Sequence, residues 1–522
     1  MRYLSHFFTS EIAQAAGFIA MRSSLHLDPA VTGLAYDSRK VEQGNLYFAL
    51  PGLHYDGHRF VPEAVAKGAA VIVHQNELGL YHPDIVYIKL KAPRFGMSPI
   101  ADAFYGFPSK QLSVIGVTGT EGKSTTVYLC YQLLRYAGTS SGFISTVQFD
   151  EGTGEQWNPE HQTTPEAPTV HRLLAAMRDQ GLDYAVLEAS SHGLSPKTNR
   201  LGDVAFDAAV LTNVTHEHLE FHGTWEQYRE DKANLFRRLD IRGGEKMIQP
   251  FGVINADDPS AAYFAGATKQ PTYTYSTQGA QADLRLQRIE STSEGNQYEV
   301  LIQETHERVL IQDRLPGAFN AGNVLAAVLT VSRLLSMPVN TLIPLIGRLK
   351  PVKGRMTAIR QGQPFEVLVD FAHTPSSFQA VFPPLRSRLD KRRGRIISLF
   401  GSAGERDTKK RREQGRIASA WSDIIILTDE DPRGEEPIAI LEEIAKGIHD
   451  KKIGDALFLL PDRPEAVRKA FALAQDSDLV LLLGKGHENS IIYAAETRAY
   501  DEITEAENAL MELGYPKKEE DL

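Results

Sequence analysis

The chain has 522 residues, 42% of them hydrophobic and 23% charged, with a formal net charge of -10. This length exceeds what one core supports, so about three domains are expected; the acidic balance argues against nucleic acid as the main partner, because phosphate binding needs a positive face. Cys130 is the single cysteine, which excludes an intrachain disulfide or a cysteine-rich zinc site and fits a reducing compartment.

The N-terminal stretch MRYLSHFFTSEIAQAAGF carries no long apolar core of the signal-peptide kind. No window of about 18 apolar residues marks a membrane span, so the cytoplasm is the expected location. Further along, apolar runs recur without alternation at residues 114–117, 185–187, 208–211, 367–369, 396–400, 424–427 and 479–483. Such runs predict strands buried on both faces. The helical patterns between them predict parallel α/β sheets, with ligands beyond the carboxyl ends of the strands. Phe107-Pro108-Ser109-Lys110 reads as a linker, and composition changes again near residues 349–354. The expected domains are 1–109, 110–349 and 350–522.

The strongest local signal follows the run at 114–117. Gly119-Thr120-Glu121-Gly122-Lys123-Ser124-Thr125 joins a strand to a helical pattern. Glycines let the backbone N–H groups of such a loop face an anion, and the helix start adds partial positive charge. Lys123 is suited to the outer phosphates of a nucleotide, and Ser124 to Mg²⁺. The strict spacing G-x-x-x-x-G-K-[ST] is not met, because position 117 is valine; Gly119 begins a shorter form. Beyond the next two runs lie Glu188-Ala189-Ser190-Ser191-His192-Gly193 and a stretch containing His216, His218 and His222. Glutamate favours Mg²⁺, whereas the histidines leave zinc or a structural role open. Lys232, in a charged helical pattern, reads from its own surroundings as a solvated residue.

The form T-G-T-x-G-K-S-T resembles the Mur ligases and their folylpolyglutamate synthetase relatives, which are ATP-dependent amide-forming ligases. The segments at 187–193 and 211–223 are similar to the same family, with Glu217 and Glu220 in place of aspartates. The resemblance implies a three-domain α/β fold with a P-loop ATPase-like central parallel sheet and a Rossmann-like C-terminal domain. It implies that Ser124, Glu188 and His218 hold Mg²⁺. Lys232 would be the lysine that CO₂ carbamylates to help bind the metal; carbamylation needs a neutral amine, which burial favours. Asn320, Asn323, Arg355 and Asp370 match ATP-facing positions, and Arg355 would offset phosphate charge during transfer. The catalytic set implied is therefore Lys123, Glu188, His218, Lys232 and Arg355.

Val369-Asp370-Phe371-Ala372-His373-Thr374-Pro375 and the pair Thr163-Thr164 resemble the tripeptide-forming branch of that family more than its siblings, and the resemblance covers the whole chain. The first domain of that branch holds a UDP group; Ser38 and the loop at 52–57 are the expected contacts, whereas folylpolyglutamate synthetases lack such a domain. Thr163, Thr164, Ser190 and Arg200 match contacts to a muramoyl dipeptide, the last across a two-residue insertion. Arg406, Gly484 and Glu488 match amino-acid-binding segments. Glu430-Asp431-Pro432-Arg433 stands where the branch reads its incoming amino acid, with Asp431 in place of a usual asparagine. Arg433 can grip a carboxylate with two parallel hydrogen bonds. Asp431 favours an extra positive charge, so a diamino acid is expected: meso-diaminopimelate, lysine or ornithine.

The implied reaction phosphorylates the D-glutamate carboxylate of UDP-N-acetylmuramoyl-L-alanyl-D-glutamate. The amine of the free amino acid then attacks the acyl phosphate. A monomer is expected. The alternatives are another amide ligase, such as one of the folylpolyglutamate kind, and a P-loop regulator that binds ATP without making a bond.

Overall fold

The computed structural model describes residues 1–23, 27–52, 56–158, 162–215, 219–241, 246, 248–292, 295–390 and 393–516, without the side chains of 219, 220 and 390. The chain packs as two compact units. The first comprises Met1–Arg285, Leu301–Glu307 and Gly322–Leu345; the second comprises Leu286–Val300, Arg308–Ala321 and Ile346–Leu522.

Beside a short antiparallel pairing of Arg2–Tyr3 with Ala30–Val31, the first unit holds two larger sheets. The smaller runs in the order Phe18–Arg22, Val86–Leu90, Val71–His74, Leu46–Phe48 and Leu34–Ala35. Its strands pair in parallel except Phe18–Arg22. Leu46, Phe48, Val73 and Ile88 pack with Met97 and Phe104 of the Pro93–Phe104 helix. In the larger sheet the strands of this unit run Gln156–Trp157, Gln148–Asp150, Ser141–Ile144, Tyr184–Glu188, Ser113–Thr118, Ala208–Leu211, Phe251–Asn255 and Thr272–Ser276. Ser113–Thr118 lies between two later strands and pairs in parallel with both. The carboxyl ends of three strands therefore stand side by side, the arrangement in which open α/β sheets bind ligands.

Each of the apolar runs expected to be a strand is one. Their β-branched and leucine side chains are sealed on both faces, as Val114, Ile115, Val186 and Val210 show. Antiparallel pairing of Gln148–Asp150 with both its neighbours makes the larger sheet mixed. Within the expected linker, Pro108–Lys110 forms a 3₁₀ turn entered from Phe107. Pro108 and Ser109 are buried, and Ser109 Oγ accepts from the Ala205 amide. The Lys123–Tyr136 helix carries Cys130 on its buried side, where burial pushes the thiol pKa up.

The second unit contains a six-stranded sheet in the order Thr357–Ile359, Glu366–Asp370, Leu479–Leu483, Ile396–Phe400, Ile424–Leu427 and Leu457–Leu459. Only the first pair is antiparallel. Strand side chains alternate between faces. Leu479, Leu481 and Leu483 accordingly enter a core with Phe378, Phe382 and Phe400, while Val480 and Leu482 enter another with Phe365, Phe471 and Leu510. Arg463 and Glu502 form an ion pair with both side chains fully buried. Arg463 also donates to the carbonyls of Asp429 and Leu483, tying together two strand ends.

Candidate active site

Gly122 caps the Lys123–Tyr136 helix with left-handed backbone (φ 82°), and a Cβ there would fall 2.4 Å from Asn323 Oδ1. Only glycine meets both demands. Asn323 also accepts from Thr126 Oγ1 at 3.3 Å. Lys123 Nζ donates to the Thr120 carbonyl at 2.7 Å. Residue 121 is held through its main chain: its amide donates to Asn213 Oδ1, and its carbonyl accepts from Thr212 Oγ1 and Asn213 Nδ2. These bonds do not depend on the side chain, so the loop takes a glutamate at position 121.

Glu188 ends its strand next to this loop and is buried. Its Oε2 accepts from Ser124 Oγ at 2.8 Å, from the Thr146 amide at 2.8 Å and from Thr146 Oγ1 at 2.9 Å. A hydroxyl and a carboxylate at this spacing are hard oxygen donors. They fit Mg²⁺, which takes one or two protein oxygens together with phosphate and water.

Lys232 lies on the Trp225–Arg238 helix, capped by Thr224 Oγ1. Tyr228, Asp231, Lys232, Leu235 and Phe236 are all buried, so the i, i+3, i+4, i+7, i+8 stripe faces inward. The solvated reading of Lys232 is therefore replaced: its side chain is sealed, its Nζ donates to the Gly119 carbonyl, and it stands 4.4 Å from the Tyr228 ring centre. Thr120 Oγ1 and Tyr228 OH are 3.1 Å apart. His222 bridges Asp231 and Ser191 at 2.7 and 3.0 Å. His216, His218 and residues 53–55 lie outside the described residues.

Thr164 and Ser190 share a hydrogen bond of 2.9 Å, and Thr164 Oγ1 reaches the Glu188 carbonyl at 2.9 Å. Thr163 is half-buried beside them. Arg200 donates to the Thr164 carbonyl and to Glu166 Oε1, which Arg94 also holds. The first unit thus gathers the phosphate loop, Glu188, Lys232 and the 164–200 segment at the carboxyl ends of its larger sheet. Nearby, a cavity of about 300 Å³ is lined by Tyr36, Asp37, Lys40, Phe149, Asn158 and Arg172 among others. Ser38 lies between Asp37 and Lys40 of this lining in sequence, with its hydroxyl committed to Glu63 Oε2 at 3.0 Å and its carbonyl to Lys67.

In the second unit, Asn320 Nδ2 donates to the Pro316 carbonyl at 2.7 Å. Asp370 accepts from the amides of Met356 and Ala372 at 2.7 and 2.8 Å. Burial raises its carboxyl pKa against the opposing pull of Arg355 and these amides. The Arg355 guanidinium lies 4.6 Å from the Phe371 ring centre. Left-handed backbone occurs at Met356, Glu405 and Arg433 (φ 50°, 54° and 55°), each at or beside an expected site residue; Asn199, before Arg200, repeats this in the first unit. Such conformations disfavour side chains; Phe107, His306, Ser336, Arg393 and Ser477 adopt them too, away from these residues. Arg406 is exposed.

The Ile424–Leu427 strand runs into Asp429, Glu430 and Asp431, all buried. Burial pushes the Asp429 carboxyl up to about 6, although Tyr493 OH donates to it. Lys485 Nζ donates to Asp431 Oδ1 at 2.9 Å and to Glu488 Oε2 at 2.5 Å. Asp431 therefore already has its cation. Glu488 is raised by burial, with Lys485 opposing. Pro432 is buried, and the Arg433 amide donates to the Ile492 carbonyl. Gly484 donates its amide to the Asp370 carbonyl at 3.1 Å, linking this turn's surroundings to the Arg355 region.

Sequence reasoning missed Thr146, Glu166 and Lys485. Thr146 and Glu166 carry no motif. Lys485 lies between the expected residues Gly484 and Glu488, but its partners are distant in sequence or arranged by a loop, and no spacing rule pairs them.

Three family models match: Mur ligase family, catalytic domain at residues 30–93; Mur ligase middle domain at 117–331; and Mur ligase, glutamate ligase domain at 354–486. A UDP-N-acetylmuramyl-tripeptide synthetase of Treponema denticola is 48% identical, with 97% of this chain and 98% of that protein covered. A UDP-N-acetylmuramoyl-L-alanyl-D-glutamate--2,6-diaminopimelate ligase of Geobacillus kaustophilus is 36% identical over 93% and 96%. A solved diaminopimelate ligase of the same description superposes with a TM-score of 0.60 at 27% identity, covering 94% of this chain and 98% of its own.

Proposed function

The chain belongs to the Mur ligase family, and from that premise we propose that it joins a free diamino acid to UDP-N-acetylmuramoyl-L-alanyl-D-glutamate at the expense of ATP. ATP-dependent addition of an amino acid in peptidoglycan precursor synthesis is the activity of the family branch it matches. The observation that carries the reading is the Ser124–Glu188 hydrogen bond beside a glycine-capped phosphate loop.

In this reading the loop amides and Lys123 hold the triphosphate, with Asn320 and Asn323 on the nucleotide. Ser124, Glu188 and His218 hold Mg²⁺, which neutralises phosphate charge when bound. An ammonium has no acceptor atom, so Lys232 joins the metal ligands only as its carbamate. Lys232 is sealed from solvent beside the Gly119 carbonyl, and CO₂ adds to a lysine amine in its neutral form. Arg355 compensates charge as the phosphoryl group moves to the D-glutamate carboxylate. Thr163, Thr164, Ser190 and Arg200 orient the dipeptide. The UDP group is assigned to the cavity at Tyr36 and Asp37, with Ser38 bracing its wall.

Arg406, Arg433, Glu430, Glu488 and the Gly484 turn receive the amino acid. With Asp431 neutralised by Lys485, like-charge repulsion at that position no longer opposes a distal carboxylate. Diaminopimelate, lysine and ornithine all carry the ammonium that the remaining carboxylates call for. The domains proposed are 1–109, 110–349 and 350–522. A cytoplasmic monomer is the proposed state; among the described residues no helix is long and apolar enough to cross a membrane.

The test is ADP release by purified protein with ATP, Mg²⁺, the UDP-dipeptide and diaminopimelate, lysine or ornithine added separately. Turnover that requires both the dipeptide and one diamino acid is expected. Turnover supported only by an uncharged amino acid would refute the proposal. A ¹³C NMR signal for a lysine carbamate from labelled bicarbonate, lost in Lys232→Arg, is expected as well.

A further inference from the structure

The turn at 429–433 and the loop after Leu479–Leu483 bring two carboxylates, Asp431 and Glu488, onto one buried lysine, Lys485, with the Glu430 carboxylate close by at Gly484. The lysine's side chain is 1% exposed. Two of its three N–H donors go to Asp431 Oδ1 and Glu488 Oε2. Asp431 Oδ1 also accepts from the Ile492 amide at 2.9 Å, so it is held by main chain as well as by charge. Glu430 differs: its Oε2 is buried and has no hydrogen-bond partner among the described residues. Asp429 Oδ1, on the same turn, shares that state, but its carboxylate already takes the Tyr493 hydroxyl on Oδ2. Opposite that oxygen stands Gly484 (φ 99°), where a Cβ would come to 2.9 Å from it. The glycine keeps the approach to Glu430 Oε2 clear.

We infer that Lys485 is a positioning residue: it serves as the fixed counter-ion of Asp431 and Glu488, and so leaves Glu430 Oε2 as the oxygen that meets the side-chain ammonium of the incoming amino acid. The inference rests on the amino-acid-acceptor reading of this turn. A buried carboxylate oxygen without a donor is unfavourable until a donor arrives. An ammonium is the donor whose charge matches: the one lysine is spent on Asp431 and Glu488, and Arg463, which acts on Glu430, is already paired with Glu502. Arg433, on the same turn, is left for a carboxylate of the ligand. Asp431, although it occupies the position that distinguishes this turn, then acts through Lys485 rather than on the ligand.

The experiment is steady-state kinetics on the full chain, varying ATP, the UDP-dipeptide and the preferred diamino acid in turn. The variants are Lys485→Met, Asp431→Asn, Glu430→Gln and the Lys485→Met/Asp431→Asn pair. Lys485→Met is expected to raise KM for the amino acid about tenfold or more, as loss of a charged hydrogen-bond partner does. KM for ATP and for the dipeptide should stay within about twofold. The acid limb of the amino-acid kcat/KM profile should move to higher pH, because carboxylates without the lysine's charge protonate more readily and lose their hold on an ammonium. The pair should recover part of the loss, since it removes one uncompensated carboxylate.

Equal rises in all three KM values, or an unshifted acid limb, would overturn the inference. If Lys485→Met does not fold, the remaining variants decide: Glu430→Gln must raise the amino-acid KM more than Asp431→Asn, and the opposite order overturns the inference. Failure of the underlying reading looks different, because the unsubstituted enzyme would then turn over without any added amino acid. That result overturns both, whereas amino-acid-dependent turnover with an indifferent Lys485→Met overturns this inference alone.

Discussion

Ser124 Oγ and Glu188 Oε2 stand 2.8 Å apart, so the first turn of the phosphate-loop helix and the end of the neighbouring strand share one buried oxygen cluster. The two parts of the proposed nucleotide site, the phosphate cradle and the proposed metal ligands, are thereby locked to each other. Lys123→Ala should lower kcat by about 10²–10³-fold, the usual effect of removing one preorganised charge from such a site. Glu188→Gln should instead raise the Mg²⁺ concentration for half-maximal rate by about tenfold or more. ADP release titrated with MgCl₂ separates the two effects.

Gly122→Ala should be damaging for a backbone reason. The left-handed conformation costs an L-residue about 1–2 kcal/mol, and the new methyl would collide with Asn323 Oδ1. A lower thermal midpoint and loss of nucleotide binding by calorimetry are expected together. A variant that still binds ATP normally would contradict the geometry.

The Arg463–Glu502 pair should be among the most sensitive points of the second unit. Glu502→Gln leaves a fully buried guanidinium short of its counter-charge, and breaking such a pair costs about 3–5 kcal/mol. Denaturant unfolding of the variant should show a correspondingly earlier transition. Because Arg463 also holds the carbonyls of Asp429 and Leu483, the amino-acid KM should rise with it.

Asp429 predicts a pH effect on stability. Its folded pKa, about 6, exceeds the ordinary carboxylate value of about 3.9. The folded state therefore binds this proton more tightly than the unfolded chain, and stability is lost as pH rises through that interval. Asp429→Asn removes the titration while retaining an acceptor for Tyr493. The thermal midpoint of the variant minus that of the parent should grow between about pH 4 and pH 7; a constant difference would show that Asp429 titrates normally.

Much of this was legible before any coordinates. The strands announced themselves as unbroken apolar runs, and Gly119 to Thr125 announced an anion cradle, because both signals are local. Lys232 was half-legible. Its neighbours are charged, yet Tyr228, Leu235 and Phe236 stand at helical spacing from it, and that stripe places the lysine on the inward face. The charge composition outweighed a periodicity that proved the better guide.

Lys485 was legible only as one letter of Gly484-Lys485-Gly486-His487-Glu488. Its pairing with Asp431 joins residues 54 positions apart, and such tertiary ion pairs leave no trace in spacing. Read without that partner, Asp431 is a free charge facing the ligand; with it, the charge is already met. The two-sided burial of Pro108 and Ser109 was likewise hidden, because the same four residues suit a tight buried turn as well as an open connector.

Cys130 gives the molecule a practical property. The sole native thiol is enclosed within the Lys123–Tyr136 helix's packing face, and a thiol that stays protonated reacts slowly with maleimides. A cysteine introduced at any exposed position will thus be the dominant attachment point for a fluorophore or spin probe. Distance measurements on the working enzyme can then proceed without first deleting a native residue.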